Sequence, residues 1–375
     1  MRIGFFTDGY LPQINGIATS VDELKESLIE IKHKVYVVAP EYPKYKDKDK
    51  NILRLKSFRL LKNPELRVSY VFPNKIFRNV LQTDFDIIHG FSGGSVPSLG
   101  FTLAKIKRKP YVFTYNTRWN EYTHYVLGGK LLSPKAAERI VTIYCNVCTH
   151  IIAPANYVKE ELIGFGVKKP ISVIPNGVNT KRFIPGDKNY LKEKLSLSKD
   201  SKIILYVGRL AKEKSIDFLI NSFANLQASS NYMLVLVGDG PEKENLEKLI
   251  KKLNLTKKII LLGAIEHNDL SKIYNGADIF AFASTTETQG MVILEAMACG
   301  LPVVAVEDKV FEQFIENDID GFLVEKEENI FADKLDAVLK DKNLRLKIGK
   351  NARIKAEKFS LEEIAKKFDT LYRSL

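Results

Sequence analysis

Two glutamates eight residues apart, Glu287 and Glu295, stand in the most chemically suggestive segment of the chain, Ser284 to Pro302. Gly290 lies between them and an apolar run carries the second, so the segment reads as a loop that turns into a helix. A strand expected at 279–281 would deliver that loop at its carboxyl end, where parallel sheets bind ligands. A helix starting near Gly290 presents backbone N–H groups without intrahelical partners, suited to a polar or anionic ligand. Glu287 would then sit at the ligand and Glu295, about two turns along, would face it from deeper in. The plain alternative is a solvated Glu287 and a Glu295 held in a structural hydrogen bond, since exposed carboxylates are the ordinary case.

Three further clusters carry polar chemistry. In Tyr206 to Ser215 a strand ends at Gly208 and is followed by Arg209 and Lys214. Fixed cations there suit a leaving group that gains negative charge, or they are surface charge near a helix end. In Asp8 to Ser20, Asn15 and Gly16 precede a helix, and Gly16 permits close approach of backbone to a phosphate. This loop is not a G-x-G-x-x-G fingerprint, which argues against a dinucleotide cofactor; a tight turn with no ligand also fits. The third cluster, Phe113 to Tyr125, contains Asn116, Trp119 and His124. Cys145-x-x-Cys148-x-His150 resembles half of a metal site, but zinc takes four ligands and no second pair lies nearby. Buried thiols are expected, and no metal.

The elements that must position these residues read as two successive α/β series. Apolar, β-rich runs at 3–7, 34–39, 86–88, 111–114 and 151–153 alternate with helical patterns, the first near 20–31. After a linker rich in turn signals (Asn176-Gly177, Pro185-Gly186), strands are expected at 203–207, 233–237, 259–262, 279–281 and 302–305. Helical patterns at 242–253 and 268–275 separate them. The expected fold is α/β with two Rossmann-like domains, 1–185 and 186–359, facing across a cleft, and a last helix near 360–375 that packs on either.

Hydrophobic residues make up 45 % of the 375 and charged residues 27 %, an ordinary globular balance. Three cysteines suit a reducing cytoplasm better than a disulfide framework. The chain opens on a strand pattern, so no signal peptide is expected, and the uncharged stretch 87–104 contains too many turn residues to span a bilayer. The net charge of +12 is unevenly distributed: residues 1–185 carry 28 Lys and Arg against 15 Asp and Glu, the remainder 29 against 30. The imbalance is sharpest between Tyr42 and Gln82, which includes the Lys-rich stretch 43–51, expected to be a disordered loop.

The Glu287–Glu295 segment, ending in Ala-Cys-Gly-Leu-Pro-Val-Val-Ala, resembles that of retaining glycosyltransferases of the GT-B fold with the Glu-x7-Glu signature. Within them the chain is most similar to the bacterial diacylglycerol glucosyltransferases, over nearly its whole length. The resemblance implies that Glu287 touches the donor sugar and Glu295 the nucleotide ribose. Backbone amides of Gln289, Gly290 and Met291 would support sugar hydroxyls and phosphate. Arg209 and Lys214 match a pair that stabilises the departing diphosphate without a metal, next to Gly208. The Asn15-Gly16 loop would lie beside that diphosphate, and backbone near Gly263–Ile265 would meet the base. Asn116 is a departure: relatives commonly have a histidine there, close to the donor sugar. Asparagine still hydrogen-bonds a hydroxyl but cannot take up a proton. A binding role, reduced activity, an altered residue and compensation by His124 all remain open.

The basic half then falls to the acceptor. Phe58, Arg59, Leu61, Lys62, Arg67, Phe72, Lys75, Phe77, Arg78 and Trp119 are the residues expected at a lipid acceptor and an anionic membrane surface. The alternative for 57–78 is a strand and a helix with apolar residues inward and basic residues solvated. The expectation is a peripheral enzyme on the inner face of the plasma membrane, moving glucose from UDP-glucose to diacylglycerol, with no cofactor or metal. GDP-mannose as donor and a soluble acceptor are the alternatives within the class, and a donor-binding protein with impaired catalysis or a basic nucleic-acid binder those from another. A nucleic-acid partner is not expected, because no helix-turn-helix, zinc-finger or RNA-binding signature accompanies the charge.

Overall fold

In the computed structural model the described residues are 1–13, 16–43, 45–60, 63–70, 74–116, 133–226 and 231–375; the side chains at 60 and 63–66 are not among them. Two compact units emerge, Met1–Gly177 together with Leu361–Leu375, and Val178–Ser360.

Unit 1 runs β1 (Arg2–Thr7), α1 (Gly16–Glu30), β2 (Lys34–Pro40), β3 (Ile52–Leu55), β4 (Ser57–Leu60), β5 (Asn63–Ser69), α2 (Lys75–Gln82), β6 (Ile87–Phe91), α3 (Ser95–Lys107), β7 (Tyr111–Thr114), α4 (Pro134–Val147), β8 (His150–Ala153), α5 (Asn156–Gly164) and β9 (Ile171–Val173). Its main sheet is parallel, in the order β3-β2-β1-β6-β7-β8-β9. The central strands are near-continuous apolar runs because helices cover both faces. Strand order reverses between β1 and β6, the kind of position where a parallel sheet opens a crevice. An antiparallel β4–β5 hairpin stands apart from that sheet.

The Lys-rich stretch expected to be disordered is irregular but anchored. The carboxylate of Asp47 receives two hydrogen bonds from the buried Arg54 guanidinium (2.8 and 2.7 Å), and Asp49 pairs with Lys25 at 2.8 Å. Opposite charges brought in from β3 and α1 therefore fix a segment whose composition alone suggested none.

Unit 2 runs α6 (Tyr190–Lys194), β10 (Lys202–Val207), α7 (Ile216–Ala224), β11 (Tyr232–Val237), α8 (Lys243–Lys252), β12 (Ile259–Gly263), α9 (Leu270–Asn275), β13 (Ile279–Phe282), α10 (Met291–Ala298), β14 (Val303–Val306), β15 (Phe322–Val324), α11 (Glu328–Lys340) and α12 (Lys342–Glu357). Its parallel sheet has the order β12-β11-β10-β13-β14-β15, so the reversal lies between β10 and β13. Both units are Rossmann-like α/β layers. Residues 178–185, assigned to the first domain on sequence, fall in unit 2. Arg353 on α12 draws them there by donating to the carbonyls of Thr180 (3.2 Å), Phe183 (2.7 Å) and Ala298 (2.7 Å).

The final helix, α13 (Leu361–Arg373), returns to unit 1. Ile364, Ala365, Phe368, Leu371 and Tyr372 recur at helical spacing and are buried with Leu24, Leu28 and Ile87, while Glu362, Lys366 and Lys367 face solvent. Two histidines that the motifs did not include fasten it. His89 is fully buried on β6, bonded to the Tyr372 hydroxyl at 2.7 Å and to Thr114 Oγ1 at 2.6 Å. Burial pulls its pKa down to about 3, so the ring is neutral. His33 meets Asp369 of α13 at 2.8 Å.

Candidate functional site

The loops after β10 and β13 meet at the strand-order reversal of unit 2. The first leaves β10 through Gly208, and a Cβ added at Gly238, in the adjoining loop, would lie 1.9 Å from the Gly208 carbonyl oxygen. Two backbones thus run too close for any side chain. The loop continues past an exposed Arg209 into a short 3₁₀ turn, Lys212–Lys214. From there Lys214 Nζ donates to Glu287 Oε1 at 2.5 Å, each side chain 16 % exposed. Ser284 Oγ, also in the loop after β13, donates to the Glu213 carbonyl at 3.3 Å. The structure therefore brings together a cation and a carboxylate that are 73 residues apart in sequence.

Gly290 caps α10 with φ of 77° and ψ of 61°, a left-handed conformation that glycine adopts without strain. A Cβ there would also come within 2.9 Å of the Phe311 ring. The first turn of α10 opens beside buried Gln289 and half-buried Met291. Behind it the helix is apolar on all sides, with Ile293, Leu294, Ala296, Met297 and Ala298 buried, as a helix inside a core must be. Glu295 is the exception in that interior, its side chain 8 % exposed. A carboxylate so nearly removed from water needs donors, and it has one on each oxygen. Tyr274 Oη donates to Oε2 at 2.8 Å, and His267 Nε2 lies 3.1 Å from Oε1. Burial, and then the Glu295 charge, push the Tyr274 hydroxyl well above the usual phenol range, so it remains a donor.

His267 and Tyr274 escaped the sequence reading because neither belongs to a spaced motif. They lie 28 and 21 residues from Glu295, in the loop after β12 and on α9. Ile265, expected near the base, is half-buried in that same loop.

In unit 1, Gly16 begins α1 exposed, and a Cβ there would meet nothing within 4 Å among the described residues. Asn15 lies outside the described residues. Asp8, beyond β1, turns inward instead: its Oδ1 accepts from Ser95 Oγ (2.8 Å) and from the amide of Val96 (3.1 Å) at the start of α3. Burial raises its pKa despite those bonds. Asn116 follows β7 and is partly buried, while Trp119 and His124 lie outside the described residues. Cys145, on α4, and Cys148, which caps it, are buried in the unit 1 core, and burial pushes the Cys145 thiol up to about 12.

Of the residues expected at an acceptor face, Phe58 is 51 % exposed beside Tyr70, 45 % exposed, with ring centroids 6.3 Å apart. Arg59, Lys75 and Arg78 are exposed. Arg67 departs from the expectation. Its buried guanidinium donates to Ser57 Oγ (2.8 Å) and to the Ser57 carbonyl (3.1 Å) and lies over the Tyr42 ring, so it holds the hairpin together and does not face outward. Phe77 is half-buried against the unit 1 core. Leu61, Lys62 and Phe72 lie outside the described residues.

Known proteins are similar to this chain in sequence and fold. Residues 187–355 match the model of Glycosyl transferases group 1, and residues 14–182 match that of Glycosyltransferase Family 4. An alpha-monoglucosyldiacylglycerol synthase of Acholeplasma laidlawii is 34 % identical, covering 100 % of this chain and 97 % of the relative. The chain is a group 1 glycosyltransferase of the GT-B fold. A second synthase of the same description, from Streptococcus pneumoniae, is 31 % identical over 90 % of the glycosyltransferase and 78 % of the relative. Among solved structures, Anabaena Alr3699/HepE in complex with UDP-glucose superposes with a TM-score of 0.79 at 21 % identity, covering both chains fully. At that identity the likeness speaks for the fold. With the family established, the Lys214–Glu287 and Glu295–His267–Tyr274 clusters of unit 2 are the glycosyltransferase's candidates for donor binding.

Proposed function

We propose that this glycosyltransferase moves glucose from UDP-glucose to diacylglycerol at an anionic membrane surface, with retention of anomeric configuration and without a metal. The observation that carries the reading is the full-length similarity to the Acholeplasma synthase, whose name specifies an alpha-glucosyl product on diacylglycerol. UDP-glucose is itself an alpha-glycoside, so an alpha product corresponds to retention.

The chemistry of unit 2 suits such a donor. Lys214 and Arg209 supply positive charge for the departing diphosphate, where a fixed cation stabilises the charge that develops in the transition state. Lys214 pairs with Glu287; in the proposed complex the ammonium serves the phosphate and the carboxylate the sugar hydroxyls. Amides of Gln289, Gly290 and Met291 at the head of α10 favour the same negative charge. Each oxygen of Glu295 already accepts one hydrogen bond and keeps a second lone pair, which suits the vicinal diol of a ribose. Asn116 then binds sugar through its amide and moves no proton.

For the acceptor, Phe58 and Tyr70 offer exposed aromatic rings beside Arg59, Lys75 and Arg78, a combination that lies on anionic lipid with rings in the interface. No helix among the described residues is long and apolar enough to cross a membrane. Attachment to the cytoplasmic leaflet is the setting we infer.

The test is nucleotide release from UDP-glucose and GDP-mannose, with and without phosphatidylglycerol vesicles containing diacylglycerol, in buffer with a chelator. Vesicle-dependent UDP release that survives chelation and yields an alpha-glucolipid is the expected result. GDP release from GDP-mannose alone would overturn the donor assignment. Donor binding without any release would mark an impaired enzyme, to be followed by Asn116→His.

A further inference from the structure

Arg182, in the segment that enters unit 2, points Nη1 at His267 Nδ1, 2.7 Å away, and His267 Nε2 faces Glu295 Oε1 at 3.1 Å. Arginine can only donate, so Nδ1 of His267 must accept. Nε2 then carries the proton and donates it to Glu295. The cationic end of the chain thus selects the histidine tautomer that the carboxylate needs.

The surrounding packing leaves this chain little freedom. The ring of Phe183, 1 % exposed, stands edge-on to His267 (centroids 5.5 Å) and to Tyr274 (5.8 Å), the two donors on Glu295. Asn179 Oδ1 accepts from the Arg182 amide at 3.0 Å. Arg353 fixes the carbonyls on either side, at Thr180 and Phe183, and ties them to the end of α10 that follows Glu295.

We infer that His267 is a positioning residue for the donor nucleotide: held by Arg182 in its Nε2–H form, it aims Glu295 at the ribose hydroxyls, and residues 179–183 belong to the nucleotide site. Outer partners of this kind set the orientation of a binding group that would otherwise select among rotamers. The inference rests on the proposed contact between Glu295 and ribose.

The two halves of the relay can be separated by amide substitutions. In His267→Gln the amide nitrogen takes the place of Nε2 and still donates to Glu295. In His267→Asn the amide oxygen takes the place of Nδ1, satisfies Arg182 and leaves Glu295 short of a donor. The experiment compares calorimetric Kd values for UDP and 2′,3′-dideoxy-UDP in the full chain, the three variants His267→Gln, His267→Asn and His267→Ala, and Glu295→Ala. The wild type should prefer UDP by about tenfold or more, the scale of hydrogen bonds to a charged group. His267→Asn, His267→Ala and Glu295→Ala should lose most of that preference with dideoxy-UDP affinity little changed, and His267→Gln should keep it. With UDP-glucose, the Asn and Ala variants should raise KM more than they lower kcat.

Preference retained in all three His267 variants, with Glu295→Ala losing it, would overturn the inference and leave the ribose contact standing. Parallel loss of affinity for both nucleotides would reduce His267 to a structural residue and overturn the inference. A Gln variant no better than Asn would overturn the relay. Indifference of the wild type or of Glu295→Ala to the missing hydroxyls would remove the ribose contact itself.

Discussion

The strand-order reversals of the two units have the same topology and different contents. In unit 2 polar side chains from separate loops are paired with one another: Lys214 with Glu287, His267 and Tyr274 with Glu295, and Arg182 with His267. In unit 1 the equivalent position holds Asp8, which turns inward to the head of α3, and the unit's abundant positive charge lies elsewhere. One unit has built a polar interior of paired side chains. The other ties Asp8 into its framework at the reversal and displays charge and aromatic rings on the outside. A site for a small, highly charged molecule requires convergent groups; contact with an extended surface requires only area and sign.

Four tests sharpen or break this contrast. The largest effect should come from unit 2: Lys214→Ala, Arg209→Ala and Glu287→Ala should each lower glycosyl transfer by a factor of about 100 or more, as loss of a transition-state partner does. Steady-state assays that find near-normal turnover would remove unit 2 as the chemical half.

The second tests framework. Tyr372→Phe leaves His89 Nδ1 without its hydroxyl in a fully buried position and should destabilise the protein by about 1–3 kcal/mol in urea unfolding. Donor affinity should be unchanged in the folded variant.

Third, Phe58→Ser with Tyr70→Ser should weaken binding to anionic vesicles by about tenfold, given the transfer energy of partly buried rings, with UDP affinity unaltered. Equal vesicle binding in a sedimentation assay would move the membrane face away from the hairpin.

The smallest effect is expected at Asp8. Its folded-state pKa is raised by burial, so the native state holds the proton more tightly than the unfolded chain, and the charged form carries a penalty above that pKa. Asp8→Asn should therefore be as stable as wild type or more so at pH 7, with the difference shrinking as pH falls toward the ordinary carboxylate range. Thermal melts at several pH values check the sign.

What could be read in the sequence was whatever is local. Strand runs such as 111–114 and 203–207 advertise themselves by composition. Gly290, between a strand and an apolar helix that holds a lone glutamate, marks a turn and a site together. The start of α1 was legible to within four residues, helix ends being soft boundaries. Partnerships over distance were not legible. His267 needs Arg182, 85 residues earlier, before it becomes a defined donor. Arg67 looked like one more basic residue on a surface until Ser57 and Tyr42 enclosed it. Asp47 and Asp49 sat in a stretch that composition alone would leave loose, and only Arg54 and Lys25 explain why it is not. In each case the deciding neighbour came from another element.

The return of α13 has a consequence for how the protein is made. The chain leaves unit 1 at Gly177, builds 178–360, and only then supplies the helix that covers Leu24, Leu28 and Ile87 and gives His89 its tyrosine. On a ribosome the second unit can finish while the first still exposes an apolar groove. The half with the basic face is thus first to emerge and last to close. A stalled or truncated nascent chain would carry a complete unit 2 and an unsealed unit 1, a state that chaperones would meet first.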